Sequence, residues 1–232
     1  MAGNRSGENR RRTLIRALAS GLLAAASPAV RAQILGKVPR ELPHGQSIYE
    51  LRGQARLNGH TATPQSVISP KDTISTGASS QIIFAVGKDA FLMRENSTLM
   101  LSGSDLAVHT LRLVTGALLS VFGKSEHELI LPTGSIGIRG TGVYAEAQPE
   151  RSYVCACYGI IDISAAGTLQ QEKVESRHHD APRYIVRTGT DRIIPAPLIN
   201  HTDEELMLIE ALVGRTPPFA LFDDTYGRSR RY

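Results

Sequence analysis

The chain has 232 residues, with 26 basic and 22 acidic side chains, no Trp, five Phe and two Cys. Six of the arginines (Arg5, Arg10, Arg11, Arg12, Arg16 and Arg31) and only one acid, Glu8, fall within the first 32 residues. The remainder therefore carries 20 bases against 21 acids. With no basic patch interleaved with aromatics, this balance argues against a nucleic-acid partner, and the core has to be built from Ile, Leu and Val.

Residues 1–32 read as a signal peptide. Consecutive arginines in Arg10-Arg-Arg-Thr-Leu-Ile-Arg16 precede a modest, alanine-rich apolar stretch from Leu14 to Ala26. Val30-Arg-Ala32 then sets small residues at −3 and −1 for cleavage before Gln33. The Arg11-Arg12 arrangement is that of a twin-arginine export signal. The apolar stretch is interrupted by Arg16, Ser20 and Gly21 and falls short of the roughly 20 residues a spanning helix needs. The expectation is a mature chain without a stable transmembrane segment, periplasmic or secreted.

Residues 33–45 form a proline-bearing, extended lead-in. From Ile48 onward, short apolar runs alternate with Gly, Asn, Asp or Ser turns. Gln81 to Val86 and Ala90 to Arg94 flank Gly87-Lys-Asp89, a tight hairpin signal. Leu99 to Leu101, Leu106 to His109, Leu111 to Val114, Leu118 to Phe122 and Glu128 to Leu131 continue the series. Arg151 to Ser164 predicts a strand with Tyr153, Cys155 and Cys157 on one face and Val154, Ala156 and Tyr158 on the other. A polar strand within 168–177, Tyr184 to Arg187 and Arg192 to Ile194 complete the β region, which Pro195 and Pro197 end. Turn signals every 8 to 12 residues predict an all-β domain over 46–199, a sandwich or roll of short antiparallel strands. One helix follows, over 200–215. Thr202-Asp-Glu-Glu205 is a capping box, Leu206, Ile209, Leu212 and Val213 share a face, and Gly214 with Pro217-Pro218 stops it. Its expected role is to dock on the β domain. Residues 216–232 read as a tail, disordered from Asp223.

Several of these pieces occur in a telling order. Leu57-Asn58-Gly59, Asp72-Thr-Ile-Ser-Thr-Gly77, Ser80 to Phe84, Ala90-Phe-Leu-Met-Arg94, Asn96-Ser-Thr-Leu99 and Leu113-Val-Thr-Gly-Ala-Leu118 are followed by Pro132-Thr133 and Arg139-Gly140-Thr141-Gly142. This order resembles the FecR domain, a periplasmic β domain named after a regulator of ferric dicitrate transport, over roughly residues 46–165. The resemblance implies a β-sandwich or roll acting as a non-catalytic sensing and interaction module, with an unknown periplasmic protein or small ligand as its partner. The family's parent regulator also carries a cytoplasmic segment that engages a sigma factor and a membrane helix. Only about 12 polar residues precede the apolar stretch here, so the resemblance does not extend to an anti-sigma role.

Within the glycine-rich run, Gly140 and Gly142 are expected where a Cβ would clash or φ is positive. Arg139 reads either as a contact for an anionic ligand or as a structural ion pair. Cys155-Ala-Cys157 is the sharpest chemical feature. On an extended strand the two thiols share a face with Cα atoms more than about 6 Å apart, unfavourable for a disulfide without a bulge or strain. Thiolates so placed suit a soft metal, and His178-His179 downstream would complete a Cys2His2 set for zinc or copper. A single metal would then need a turn at the two adjacent histidines. A disulfide or inert packing are the other readings of the pair. His44, His60, His109, His127 and His201 are scattered singly and carry no expected role. Ser135 and Ser164 lack a Gly-x-Ser-x-Gly elbow, so no catalytic residue is assigned. The sequence thus predicts an exported FecR-like binding module and, as the alternative, a periplasmic metal-binding protein with possible redox activity.

Overall fold

The structure, a computed structural model, describes residues 40–104 and 107–221. The signal-peptide reading and the tail from Asp223 lie outside the described residues. Among those residues the chain is built of strands and one α-helix, as the turn-punctuated sequence predicts. No helix in this part is long and apolar enough to cross a membrane.

The strands are β1 (Ile48–Arg52), β2 (Ala55–Leu57), β3 (His60–Thr61), β4 (Thr73–Thr76), β5 (Gln81–Val86), β6 (Asp89–Met93) and β7 (Thr98–Ser104). Then come β8 (Ala107–Val121), β9 (Glu126–Leu131), β10 (Gly134–Ala147), β11 (Arg151–Ala165), β12 (Gln171–Ser176), β13 (Arg183–Val186) and β14 (Ile193–Pro195). Helix α1 spans Asp203–Leu212. All strands join one hydrogen-bonded network, antiparallel except where β8 runs parallel to β9. Val86 pairs with Asp89 across the tight turn signalled by Gly87, which sits at φ +60°.

Three strands, β8, β10 and β11, are much longer than the sequence runs suggest. Leu106 to His109, Leu111 to Val114 and Leu118 to Phe122 read as three separate strands, yet all of them but Phe122 and Leu106, which lies outside the described residues, belong to the single strand β8. The apparent break at Thr110 is a shift of register against β7, and that at Thr115-Gly-Ala117 is centred on Gly116 at φ +87° inside the strand. Each long strand changes partners half-way. β8 pairs with β7 up to Thr115 and with β6 and β10 from Gly116 on. β10 pairs with β9 as far as Arg139 and with β8 from Gly142. β11 pairs with β13 in its first part and β12 from Gly159.

The crossing of β10 and β11 explains the Arg-Gly-Thr-Gly segment. Gly140 bends β10 at φ +55°, and Gly159 bends β11 at φ +90°. A Cβ on Gly159 would lie 2.5 Å from the Thr141 side chain, a separation no real contact allows. Thr141 is fully buried there, so the two strands lock where both turn.

The bends divide the interior in two. The larger cluster holds Phe84, Phe91, Leu99, Leu111, Ile136, Val154 and Ile161 among others. A second lies under α1, which packs on β5, β6 and β8 and inserts Leu206, Ile209 and Leu212 against Leu92, Leu119, Val121 and Tyr144. Each such aliphatic burial is worth roughly 1.5–3 kcal/mol. The helix starts on the capping box the sequence signals: Glu205 N–H donates to Thr202 Oγ1, and Thr202 N–H to Glu205 Oε2. It ends as Gly214 turns at φ +69°. Of the residues read as a tail, Pro218–Leu221 form a 3-10 turn, whose Phe219 is buried against Tyr158.

Candidate functional site

The second cluster contains more than apolar side chains. Strand β11 contributes Tyr153, Cys155, Cys157 and Tyr158 to it. Its register against β10 passes from Tyr144↔Cys155 to Val143↔Ala156, then jumps to Gly142↔Tyr158. Cys157 is thus the extra residue of a β-bulge, which bends the strand and redirects the side chains that follow. Strict alternation would put Tyr158 with Val154 and Ala156. The bulge instead brings it to the helix side, where its hydroxyl donates to Glu210 and its ring fills the space beside Gly142. Both cysteines are free thiols with no solvent exposure.

After β12 the chain bends sharply. Asp180 accepts the Arg177 N–H (2.9 Å) and donates its own N–H to Ser176 Oγ (2.9 Å), an arrangement in which a short carboxylate substitutes for backbone partners. His179 and Ala181 take left-handed conformations, φ +57° and +49°. The His179 N–H donates to the Cys157 carbonyl at 2.9 Å, which fixes the bend onto the bulge. Its ring is buried, with Nδ1 3.7 Å from Cys155 Sγ. The His178 ring stacks on Phe219 (centroids 4.5 Å apart), and its Nε2, like that of His179, lies 2.9 Å from Asp203 Oδ1.

The segment leading into α1 packs Ala196, Leu198 and Ile199 on the same cluster and carries His201 underneath. This imidazole is 3% exposed and stacks on Tyr144 at 4.5 Å with 18° between planes. Its Nδ1–H donates to the Ile199 carbonyl (2.6 Å), and Nε2 lies 3.0 Å from His179 Nδ1. Cys155, Cys157, His179 and His201 each offer one ligand atom, all within 4.8 Å of one another. The structure therefore brings three of the four residues singled out by sequence together, sets His178 aside on Asp203, and adds His201. A second, overlapping group joins His178, His179 and Asp203.

The charges are coupled. A hydrogen bond from the Cys157 thiol, opposed by burial but reinforced by His179 and His201, holds Cys155 far below the usual thiol range. Burial and the adjacent Cys155 push Cys157 the other way. Burial opposes charge on His179, yet its hydrogen bonds to Asp203 and Cys155 lift it to about 9. Asp203, despite burial, is drawn down to about 2 by hydrogen bonds from His179 and His178. A proton-sharing set of this kind can hold a thiolate at neutral pH or accept a soft metal ion.

The Arg139 segment lies elsewhere. Arg139 is exposed on β10, its guanidinium 3.7 Å from Asp162 and 4.0 Å from Glu126. It borders an open cleft of about 270 Å³ that His109, His127 and Glu128 also line.

No protein-family model matches the chain, and no curated protein is significantly similar to it. Two crystal structures of a candidate anti-sigma factor from Parabacteroides distasonis ATCC 8503 align with it at 8% identity and a TM-score of 0.45. The match covers 53% of this chain and 58% of that protein.

Proposed function

We propose that this chain is an exported, non-catalytic β module of the FecR kind, working in the periplasm or outside the cell by binding a protein partner or small ligand. The observation that carries this reading is the sealing of the reactive groups. Cys155 and Cys157 have no exposed surface, and His179 and His201 lie under α1 and its leading segment. A nucleophile that no substrate can reach does not turn substrate over. The ordered motifs that resemble the FecR domain fall on the turns and strands of the β frame, from the β2–β3 turn at Asn58-Gly59 to the bend of β10. That placement supports a scaffold whose surface, and not a catalytic pocket, does the work.

The test is made in intact cells. A photo-crosslinking residue replacing Arg139, at the mouth of the exposed cleft, should give a discrete adduct in the cell envelope, or periplasmic extract should raise the melting temperature of the purified chain. Absence of both overturns the reading. Export is checked separately: changing Arg11 and Arg12 to Lys should leave precursor in the cytoplasm, and undiminished delivery of mature chain would exclude the twin-arginine route.

A further inference from the structure

The hydrogen-bond directions at His179 and His201 lead beyond a binding surface. The Ile199 carbonyl can only accept, so the hydrogen of His201 lies on Nδ1. The Asp203 carboxylate likewise accepts, so His179 carries a hydrogen on Nε2, 2.9 Å away. In two neutral rings the remaining nitrogens, His179 Nδ1 and His201 Nε2, are bare lone pairs. They face each other at 3.0 Å beside the sulfur of Cys155. Two acceptors gain nothing from that approach; a cation between them turns it into attraction, either the second proton that His179 carries without metal or a metal ion that displaces it. An imidazole whose outer N–H is tied to a carboxylate or a backbone carbonyl is also the way proteins orient histidine ligands. Here each ring has one such tie, Asp203 for His179 and Ile199 for His201.

We propose that Cys155, Cys157, His179 and His201 form a closed, four-coordinate site for a thiolate-seeking divalent cation, zinc foremost, that pins the start of α1 to the bulge of β11. The dimensions fit. A tetrahedral zinc with bonds of about 2.0–2.1 Å to nitrogen and 2.3 Å to sulfur sets ligand atoms roughly 3.3 Å (N to N) and 3.6 Å (N to S) apart. The corresponding separations are 3.0 Å and 3.7 Å. The bulge matters because a regular strand spaces same-face residues more than about 6 Å apart, and an extra residue at Cys157 re-aims the second thiol. Two thiolates balance a divalent charge, so the loaded site is neutral where water is excluded. With all four positions supplied by protein and no solvent at the sulfurs, the site is structural and has no open position for a reacting water. His178 takes no part in coordination; it bears on the Asp203 oxygen that orients His179.

The experiment uses the mature chain purified with its thiols reduced, and cobalt(II) as the probe, since a tetrahedral thiolate site gives it intense visible bands and a sulfur-to-metal charge-transfer band. Wild type and His178→Gln should bind one ion per chain with both features and release cobalt to added zinc. Cys155→Ser/Cys157→Ser should lose both, and His201→Gln should lose the four-coordinate spectrum while remaining folded by circular dichroism. The inference is overturned if reduced wild type takes up no cobalt or zinc, if His201→Gln keeps the wild-type spectrum, or if the native chain is two hydrogens lighter than its reduced form. The wild-type titration alone decides the matter should a variant fail to fold. Because it reads metal and not partner binding, its failure leaves the crosslinking result untouched.

Discussion

Among the described residues the larger interior cluster is made of Ile, Leu, Val, Ala, Phe and Met, and no Tyr or Cys enters it. Beneath α1 the same strands present Tyr144, Tyr153, Cys155, Cys157 and Tyr158. Strand β11 shows the contrast within a few residues: Val154, Ala156, Ile161 and Ile163 serve the first cluster, while Tyr153, Cys155, Cys157 and Tyr158 serve the second. The first cluster is held by a non-directional force that rewards any well-packed apolar volume. The second relies on groups that must find particular partners. Tyr158 finds Glu210, Tyr144 finds Glu146, and Arg94 reaches from the end of β6 to Glu205 of α1. The frame thus supplies stability, and the layer under the helix supplies directional chemistry.

Substitutions can break this contrast or sharpen it. The largest effect is expected in the frame: Phe91→Ala removes a fully buried ring packed 5.0 Å from Phe84 and should cost about 3–5 kcal/mol. Urea titration should show one transition shifted as a whole; loss of α1 alone would mean that the two clusters are not divided as described. Next comes Gly159→Val, which combines a positive φ with a collision at Thr141 and should cost on the order of 3 kcal/mol. Gly140→Ala, strained in φ but with its nearest neighbour 3.7 Å away, should cost only about 1–2 kcal/mol. Equal melting temperatures for the two variants would show that the crossing is not crowded. Thr202→Ala removes the helix cap at a cost of about 1 kcal/mol. Its effect should be confined to faster amide exchange in α1, with the frame strands unchanged.

The mildest test is pH, applied to chain stripped of metal by chelation. His179 is raised in the folded state, so its contribution is complete below the ordinary histidine value of about 6.5 and fades as pH rises through about 9. Asp203 is lowered, so its contribution is complete above about 4 and fades as pH falls towards 2. Cys155 is lowered to about 4, so its contribution grows as pH rises from there to the ordinary thiol value of about 8.5 and offsets the loss at His179. Amide exchange in α1 should therefore be slowest between about pH 6.5 and 8.5, once corrected for the intrinsic rate. Protection that is greatest below about pH 6.5 and falls steadily towards about pH 9 would contradict the pairing of the Cys155 thiolate with protonated His179.

Much of the frame was legible because its signals are local. The turn at Gly87, the capping box at Thr202 to Glu205 and the alternation of Tyr153, Val154, Cys155 and Ala156 each depend on neighbours in the chain. The long strands were not legible. A glycine that ends a strand and one that bends it carry the same letter, so β8 read as three pieces. Tyr158 was set on the wrong face because a bulge depends on the partner strand, which no single segment encodes. His201 reads as a lone histidine in the sequence, although a signal exists. It stands between the apolar run Ala196 to Ile199, which must be covered, and the cap of an amphipathic helix that covers it. A side chain in that position is drawn under the helix. His178 and His179 cannot be told apart without the left-handed turn that buries the His179 ring beside Cys155 and leaves that of His178 partly exposed on Phe219.

His201, Thr202 and Asp203 follow one another without a gap, and each fills a separate role. The first is an imidazole facing the sulfurs, the second caps the helix, and the third is the carboxylate that steers His179. Three angular requirements are thereby threaded onto one short length of backbone. Inserting or deleting a single residue there would rotate all three out of place together, whereas exchanging any one side chain disturbs only its own role. Length, more than composition, is the quantity this junction has to keep.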